Sequence, residues 1–245
     1  MTEARPHLLG LLAGLFLAAG LVCSAMLVTR AWLNIAESQT IVVTGSARKD
    51  VQADLIIWRG GFSAEAATLL DAQRKLKADG AKVGAFLDGH GMTNYVFTPI
   101  TIQELQATSK SDGGWVQHKT AGYRLTQSVQ LQSGNAEATA RLDRDSSALV
   151  EAGVLFTPTP PEYIYTKAGE AKVEMLAEAT RDARARAEQI AAQGGRAIAQ
   201  LRTAKMGVFQ ITPQHSVQTS WEGINDTSAF EKTVTAVVSA SFSLK

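Results

Sequence analysis

Three kinds of hydrophobic patterning follow one another along the chain. The first is unbroken: Leu8–Thr29 runs without a charged side chain. At about 1.5 Å of rise per residue, a helix of that length covers the ~30 Å hydrocarbon core of a bilayer. Beyond Arg30, stretches of period two trade places with stretches of helical period, which predict strands and helices in turn. Thr40–Ala47 and Asp54–Phe62 read as strands. Ser63 is placed to cap a helix running to Asp88, with Leu69, Leu76, Val83 and Leu87 down one side. Gly80 and Gly84 are expected where this helix crosses a sheet closely. Asn94–Gln106 and Ala121–Leu131 follow as strands of a long hairpin whose tip is the turn-forming run Ser109–Gly114.

The second half begins with Asn135 as the cap of a helix through Glu151, stopped by Gly153. Val154–Phe156 and Tyr163–Tyr165 are strand-like, separated by the Thr157–Pro161 run. Prolines donate no ladder hydrogen bonds, so this piece is expected at an edge or a bulge. Glu170–Gln193 is the strongest helix. Val173, Leu176, Ala177, Thr180, Ala183, Ala187, Ile190 and Ala191 form its expected stripe, and Asp182 with Arg186 forms an i,i+4 pair. Ala197–Ile211 and Thr233–Leu244 complete the strands, the last with alternating apolar positions against Thr and Ser.

These elements predict an α+β body in which a β-α-β-β unit occurs twice, over 54–131 and 154–244, preceded by a single transmembrane helix. The expected organisation is a tail at 1–7, a signal anchor at 8–29, a linker at 30–39 and one compact domain at 40–245. A cleaved signal peptide competes with the anchor reading, since Cys23-Ser24-Ala25 has the small-x-small form of a cleavage site. Apolar residues continue through Met26, Leu27 and Val28, which favours a retained span. Arg5 and His7 before the span and Arg30 after it leave the charge rule for orientation nearly balanced. The short tail and large body favour export of the body from an inner-membrane anchor. Gly10, Gly14 and Ala18 share one face of the span, a small-residue pattern that lets two helices approach closely.

Charge and cysteine content narrow the function classes. With 24 basic and 23 acidic residues the chain is nearly neutral, unlike a nucleic-acid binder or a polybasic membrane surface. The single cysteine, Cys23, lies in the span, so the body uses neither disulfides nor thiol chemistry. Ser46-Ala47-Arg48-Lys49 has the Ser-x-x-Lys spacing of acylating serine enzymes, but at a strand end the two side chains face apart. Gly89-His90-Gly91 sits at a helix exit and reads as a turn rather than a phosphate cradle. His7, His90, His118 and His215 are isolated in sequence and lack metal-site spacing. Arg181, Arg184 and Arg186 are interleaved with Asp182 and Glu188, a self-paired solvated face. No catalytic residue, metal site or cofactor site is expected.

Several segments together resemble the SIMPL-domain family. They are Ile41-Val42-Val43-Thr44-Gly45-Ser46-Ala47, Gly122-Tyr123, Pro160-Pro161-Glu162-Tyr163, the helical run Ala177–Glu188, and Gly207-Val208-Phe209-Gln210-Ile211-Thr212-Pro213. The resemblance is co-linear over 40–245. It implies a bacterial envelope protein, periplasmic or held by an N-terminal segment, with antigens among its members. It further implies large, hollow, channel-like homo-oligomers, loosely suggested roles such as stress tolerance, and no settled catalytic activity.

Two segments exceed economical packing. The hairpin tip at Thr108–Lys119 carries Trp115, and the loop at Thr212–Lys232 carries Trp221 and Phe230. Loops beyond ~12–15 residues are usually functional or disordered, and tryptophan is enriched at interface centres. Trp115, Trp221 and Phe230, with Gly10, Gly14 and Ala18 of the span, are therefore the expected homo-oligomer contacts. The alternative is a periplasmic module that captures a ligand or client without a defined large assembly.

Overall fold

The computed structural model describes residues 6–36, 39–110 and 116–245, with the side chains of 6–9, 33–36, 109–110 and 116–118 left aside. Helix α1 (Pro6–Ala36) includes Gly10–Trp32, a 23-residue stretch that is long enough and on average apolar enough to cross a membrane. It passes Arg30 without a break, so the first part of the expected linker is helical. The body is α+β, with four helices and two sheets among the described residues. Its residues group into two compact units that interleave along the chain instead of following its halves.

The first unit holds residues 1–47, 176–207 and 237–245. Strand β1 (Thr40–Gln52) enters it, as do the later part of helix α5 (Ala168–Gln193), strand β7 (Ile198–Met206) and the end of β9 (Glu231–Leu244). Strands β7 and β9 pair antiparallel, from Ile198 opposite Leu244 to Met206 opposite Val238. The buried face of α5 is Ala171, Met175, Ala179, Ala183, Ala187 and Ala191, one residue every fourth. This corrects the expected stripe. Val173 and Ile190 are exposed, and the burial follows the small residues because the helix lies against β1 at backbone distance. A Cβ added to Gly45 would sit 2.2 Å from the Ala179 carbonyl oxygen and 2.3 Å from the Ala183 nitrogen.

The second unit holds residues 48–175 and 208–236. Its sheet is built around β2 (Leu55–Ala66), flanked antiparallel by β5 (Val116–Ser133) and β6 (Leu155–Ile164). Strands β3 (Tyr95–Phe97) and β4 (Thr101–Lys110) pair with β5. Helix α2 (Leu69–Gly89) covers one face, and α3 (Ala136–Asp145) and α4 (Ser147–Glu151) precede β6. Trp58, Phe62, Leu76, Val83, Leu87, Leu125 and Leu131 are the fully buried centre of this core. Gly80 lies beside the Phe62 ring, the close crossing that its position in the sequence suggests.

Several boundaries differ from expectation for local reasons. The cap of α2 is Thr68, whose side chain accepts from Asp71 N–H, because β2 continues through Ser63 to Ala66 in register with β5. The 94–106 strand is two strands, parted at Pro99. The 135–151 helix breaks at Ser146. Strand β6 runs through its prolines at the sheet edge, with a register shift opposite Ile57 and Arg59. The 197–211 strand ends at Met206, and β8 (Gln210–Pro213) pairs with the start of β9. The expected repeat of a β-α-β-β unit is not confirmed: three strands follow α2 and three follow α5, and β2 lies beside β5 of its own half, whereas β6 joins β2.

Candidate functional site

The 212–232 segment is an ordered structure, tied down by its own polar groups. Ile211 N–H donates to Ile224 C=O at 2.7 Å, and Asp226 N–H returns to Ile211 C=O at 2.9 Å. Tyr163 N–H donates to Thr227 C=O at 2.7 Å, and the Tyr163 ring meets Phe230 edge-on at 5.9 Å. Tyr163 thus serves as a wall for this segment, and Phe230 is half-buried beside it. Asp226 organises the rest. Its carboxylate accepts from Ser228 Oγ at 2.6 Å, Ala229 N–H at 3.0 Å and the wholly buried Lys232 Nζ at 2.7 Å. Burial alone raises the Asp226 pKa. The hydrogen bonds from Lys232, Ser228 and Ala229 outweigh that and hold it at about 2.

On this framework Trp221 is 83% exposed and Val217 is 94% exposed. Trp115, the other expected contact, lies outside the described residues. Gly10, Gly14 and Ala18 are exposed along α1, and a Cβ on either glycine would meet nothing within 4 Å.

The same segment roofs a cleft of about 320 Å³ in the second unit. Its floor is the polar face of three strands: Arg48 and Asp50 from β1, Thr233 and Thr235 from β9, Gln210 and Thr212 from β8. Register sets Gln210 opposite Thr235 and Thr212 opposite Thr233. Asp50 accepts from Thr233 Oγ1 at 2.7 Å and from Gln214 Nε2 at 3.3 Å, and these bonds lower its pKa. The roof turns at Pro213–Ser216, closed by a Ser216 N–H to Pro213 C=O bond at 3.1 Å, with His215 at a φ of 63°. Gln210 is buried; its Nε2 donates to Ser220 C=O at 2.6 Å, while its Oε1 has no partner among the described residues. Sequence reasoning missed this cleft. Its one advance signal was the Gly207–Pro213 motif, which supplies two floor residues but has no recognisable chemistry of its own.

The other chemistry-bearing residues resolve into structural roles. Ser46 N–H donates to Asp182 Oδ2 at 2.8 Å. Lys49 Nζ reaches Glu174 Oε2 at 2.6 Å. His90 Nδ1 lies 2.8 Å from Phe86 C=O and its Nε2 3.2 Å from Asp145, at the exit of α2. The side chain of His118 falls outside the described residues. Arg181, Arg184 and Arg186 pair with Glu178, Glu188 and Asp182 on their own helix, at 2.9, 3.0 and 2.9 Å. Among the described residues no three His, Cys, Asp or Glu side chains form a metal-binding group.

Comparison with solved structures gives only distant likeness. An amidase of the hydantoinase/carbamoylase family from Burkholderia phymatum aligns at 13% identity and a TM-score of 0.24, covering 58% of this chain and 36% of its own. CutA from Synechococcus elongatus aligns at 12% identity and a TM-score of 0.16, over 46% of this chain and 84% of its own. The regulatory subunit of aspartate kinase from Thermus thermophilus aligns at 14% identity and a TM-score of 0.19, over 80% and 88%. The chain therefore spans little more than a third of the amidase it matches. No curated protein sequence matches it. The family comparison is decisive by contrast: the profile described as "SIMPL: Protein of unknown function (DUF541)" matches residues 41–242, and the chain belongs to the SIMPL family.

Proposed function

We propose that this chain is a non-enzymatic, membrane-anchored envelope protein whose body self-associates outside the cytoplasm into a ring- or channel-like homo-oligomer. The SIMPL domain and an N-terminal helix able to cross a membrane fit a membrane-anchored envelope protein. The assembly reading rests on one observation, the 83% exposed Trp221 on a loop held in place by Asp226 and Lys232. A large aromatic side chain pre-ordered in solvent is the form an interface anchor takes before docking. A closed ring needs two different surfaces meeting head to tail; the Trp221 loop is the proposed first, and the segment carrying Trp115, which lies outside the described residues, is the proposed second. Retained spans would add to the assembly, since docked bodies hold neighbouring anchors at high effective concentration. Tolerance of envelope or oxidative stress is the setting proposed for such an assembly.

Sizing of the detergent-solubilised full chain tests this. A discrete large species is expected, reduced to monomer by Trp115→Ala with Trp221→Ala while each body keeps its melting temperature. A strictly monomeric wild type would overturn the assembly. The cleft then favours the second reading, a ligand-binding module at the membrane.

A further inference from the structure

The two edges of the first unit's sheet are built differently. Its strand order is β1-β9-β7, so β1 and β7 each leave one side without a strand among the described residues. An open edge is a template for another chain, and proteins ordinarily blunt it with charge, proline, a bulge or shortness. Strand β7 carries Arg202 and Lys205 and two register shifts against β9. In the other sheet, β6 carries Pro158, Pro160 and Pro161, β4 carries Glu104 and Lys110, and β3 is three residues long. The Thr40–Ala47 part of β1 has neither charge nor proline.

Two contacts set the register of that part. Leu244 N–H donates to Gln39 C=O at 2.9 Å, and Thr44 Oγ1 lies 3.4 Å from Ser239 Oγ. In an antiparallel ladder, residues bonded to the partner strand alternate with residues whose main-chain groups point away. Ile41, Val43 and Gly45 therefore bond towards β9, and the main-chain groups of Thr40, Val42, Thr44 and Ser46 point outwards. Ser46 N–H donates to Asp182 Oδ2 accordingly, and not to a strand. Thr40, Val42 and Thr44 have no such cover among the described residues. Helix α5 lies over β1 at Gly45, and residues 194–197 join its end to β7, so its C-terminal end lies towards the opposite edge.

The edge is complementary to itself. Thr40-Ile41-Val42-Val43-Thr44 reads nearly the same in both directions. Laid antiparallel to its own copy about a two-fold axis at Val42, it sets Thr40 opposite Thr44, Ile41 opposite Val43, and Val42 opposite Val42. Such Thr–Thr and β-branched pairs are favourable across strands. About six main-chain hydrogen bonds close between the outward-facing groups. Val42, 70% exposed between two threonines, gains an apolar neighbour. The two Thr40 residues stand about 14 Å apart in this pairing, so both anchors can enter one membrane.

We propose that Thr40–Thr44 pairs antiparallel with the same segment of a second copy about a two-fold axis at Val42, continuing the sheet of the first unit into a neighbouring chain. This surface is separate from the loops proposed above and does not depend on them. The contact is small, so it is transient when the chains are diluted and gains from anchors that hold two bodies together.

Oxidative cross-linking of the full chain in detergent micelles, with Cys23→Ala removing the native thiol, tests the pairing. Val42→Cys is expected to form a disulfide-linked dimer, because the two Cα atoms lie about 5.5 Å apart across the axis. Thr40→Cys and Thr44→Cys are each expected to cross-link at least about tenfold less when alone, and to join each other when mixed. Val42→Lys, at an exposed position, should reduce that mixed cross-link about tenfold or more by setting like charges opposite, with the melting temperature unchanged. The Val42→Cys dimer is also expected in the Trp221→Ala chain. An intact cross-link with small particles would therefore overturn the ring alone, whereas large particles without the cross-link would overturn this pairing alone. Equal cross-linking of Thr40→Cys and Val42→Cys overturns the proposal. So does a chain that never cross-links, which leaves the edge to a strand of another protein.

Discussion

Lys232 Nζ donates both to Asp226 Oδ2 and to the Asp226 main-chain carbonyl, each at 2.7 Å, with the lysine wholly removed from solvent. Lysine is almost never buried unless paired. Here it extends the apolar face of β9, whose buried residues continue as Val234, Ala236, Val238, Ala240 and Phe242. One end of the ammonium's reach is a strand of the core, and the other is the 212–232 segment. The pair therefore fixes that segment to the second unit.

Removing the lysine while keeping the carboxylate should be severe. Lys232→Met leaves Asp226 at 11% exposure with an uncompensated charge, a change expected to cost about 3–5 kcal/mol. Denaturant unfolding of the variant checks this. A loss below about 1 kcal/mol would mean that water replaces the ammonium and that the segment is not anchored here.

Acid should act through the same pair. The unfolded Asp226 carboxyl has the ordinary value of 3.8 and the folded one about 2, so the unfolded chain binds the proton first. The stability this provides is complete above about pH 4 and is lost as pH falls through 2. Its size is up to about 2 kcal/mol. Asp50, Asp54 and Asp182 shift in the same direction, through hydrogen bonds led by Thr233, the Thr166 N–H and the Ser46 N–H respectively. Asp226→Asn should flatten the acid limb of a stability-against-pH curve. An unchanged limb would place the acid sensitivity elsewhere.

Local pattern made much of this fold legible, and its failures have physical causes. The alternation of β9 and the 3.6-residue period of α2 are decided by burial on one face, so both appear directly in the sequence. Ser63 misled because strand pairing with β5 outweighs a capping preference, and the pairing partner is more than sixty residues away. The stripe of α5 misled because Val173 and Ile190 are larger than its alanines, yet close backbone packing against β1 selects small residues. The cleft was legible only through the Gly207–Pro213 motif, which holds Gln210 and Thr212 but not their surroundings. Arg48, Gln210, His215 and Thr235 meet only after three strands pair. Trp221 was legible as a candidate because a long loop and a tryptophan are both local facts.

Gly45 and Ala187 test the packing of α5. Ala187→Phe fills a position with no exposure and should cost about 1–3 kcal/mol through overpacking. Gly45→Ala drives a methyl into the helix backbone, which cannot give way as a side chain can, and should cost at least about 2 kcal/mol. Thermal unfolding reads both. Wild-type melting temperatures would show that the helix stands off the strand.

In the second unit, fully buried Trp58 carries one polar atom, and its Nε1–H donates to Asp143 Oδ1 at 2.7 Å. Trp58→Phe keeps an aromatic ring beside Phe156 but strips the half-buried carboxylate of this donor. A loss of about 1.5–3 kcal/mol is expected. Asp143→Asn, which retains an acceptor oxygen, should cost less. Equal losses in the two variants would assign the effect to charge alone.

Trp221 separates folding from assembly. Its side chain is 83% exposed, so Trp221→Ala removes almost no packing within the body and should change its stability by less than about 0.5 kcal/mol. The proposed interface asks for the opposite response in particle size, because truncating a central aromatic anchor typically costs 2 kcal/mol or more of binding, on the order of a thirtyfold loss at each contact. In a closed ring the loss recurs at each junction, so the population should shift towards small species at micromolar concentration. Light scattering of the solubilised full chain beside a thermal melt measures both quantities on one sample. A soluble chain starting near Ser38 should follow the same rule from a weaker starting affinity, since it lacks the tether of α1. If Trp221→Ala lowers the melting temperature but not the size, the side chain supports its own body and the interface lies elsewhere. If that soluble chain is monomeric at every concentration, the association belongs to the span.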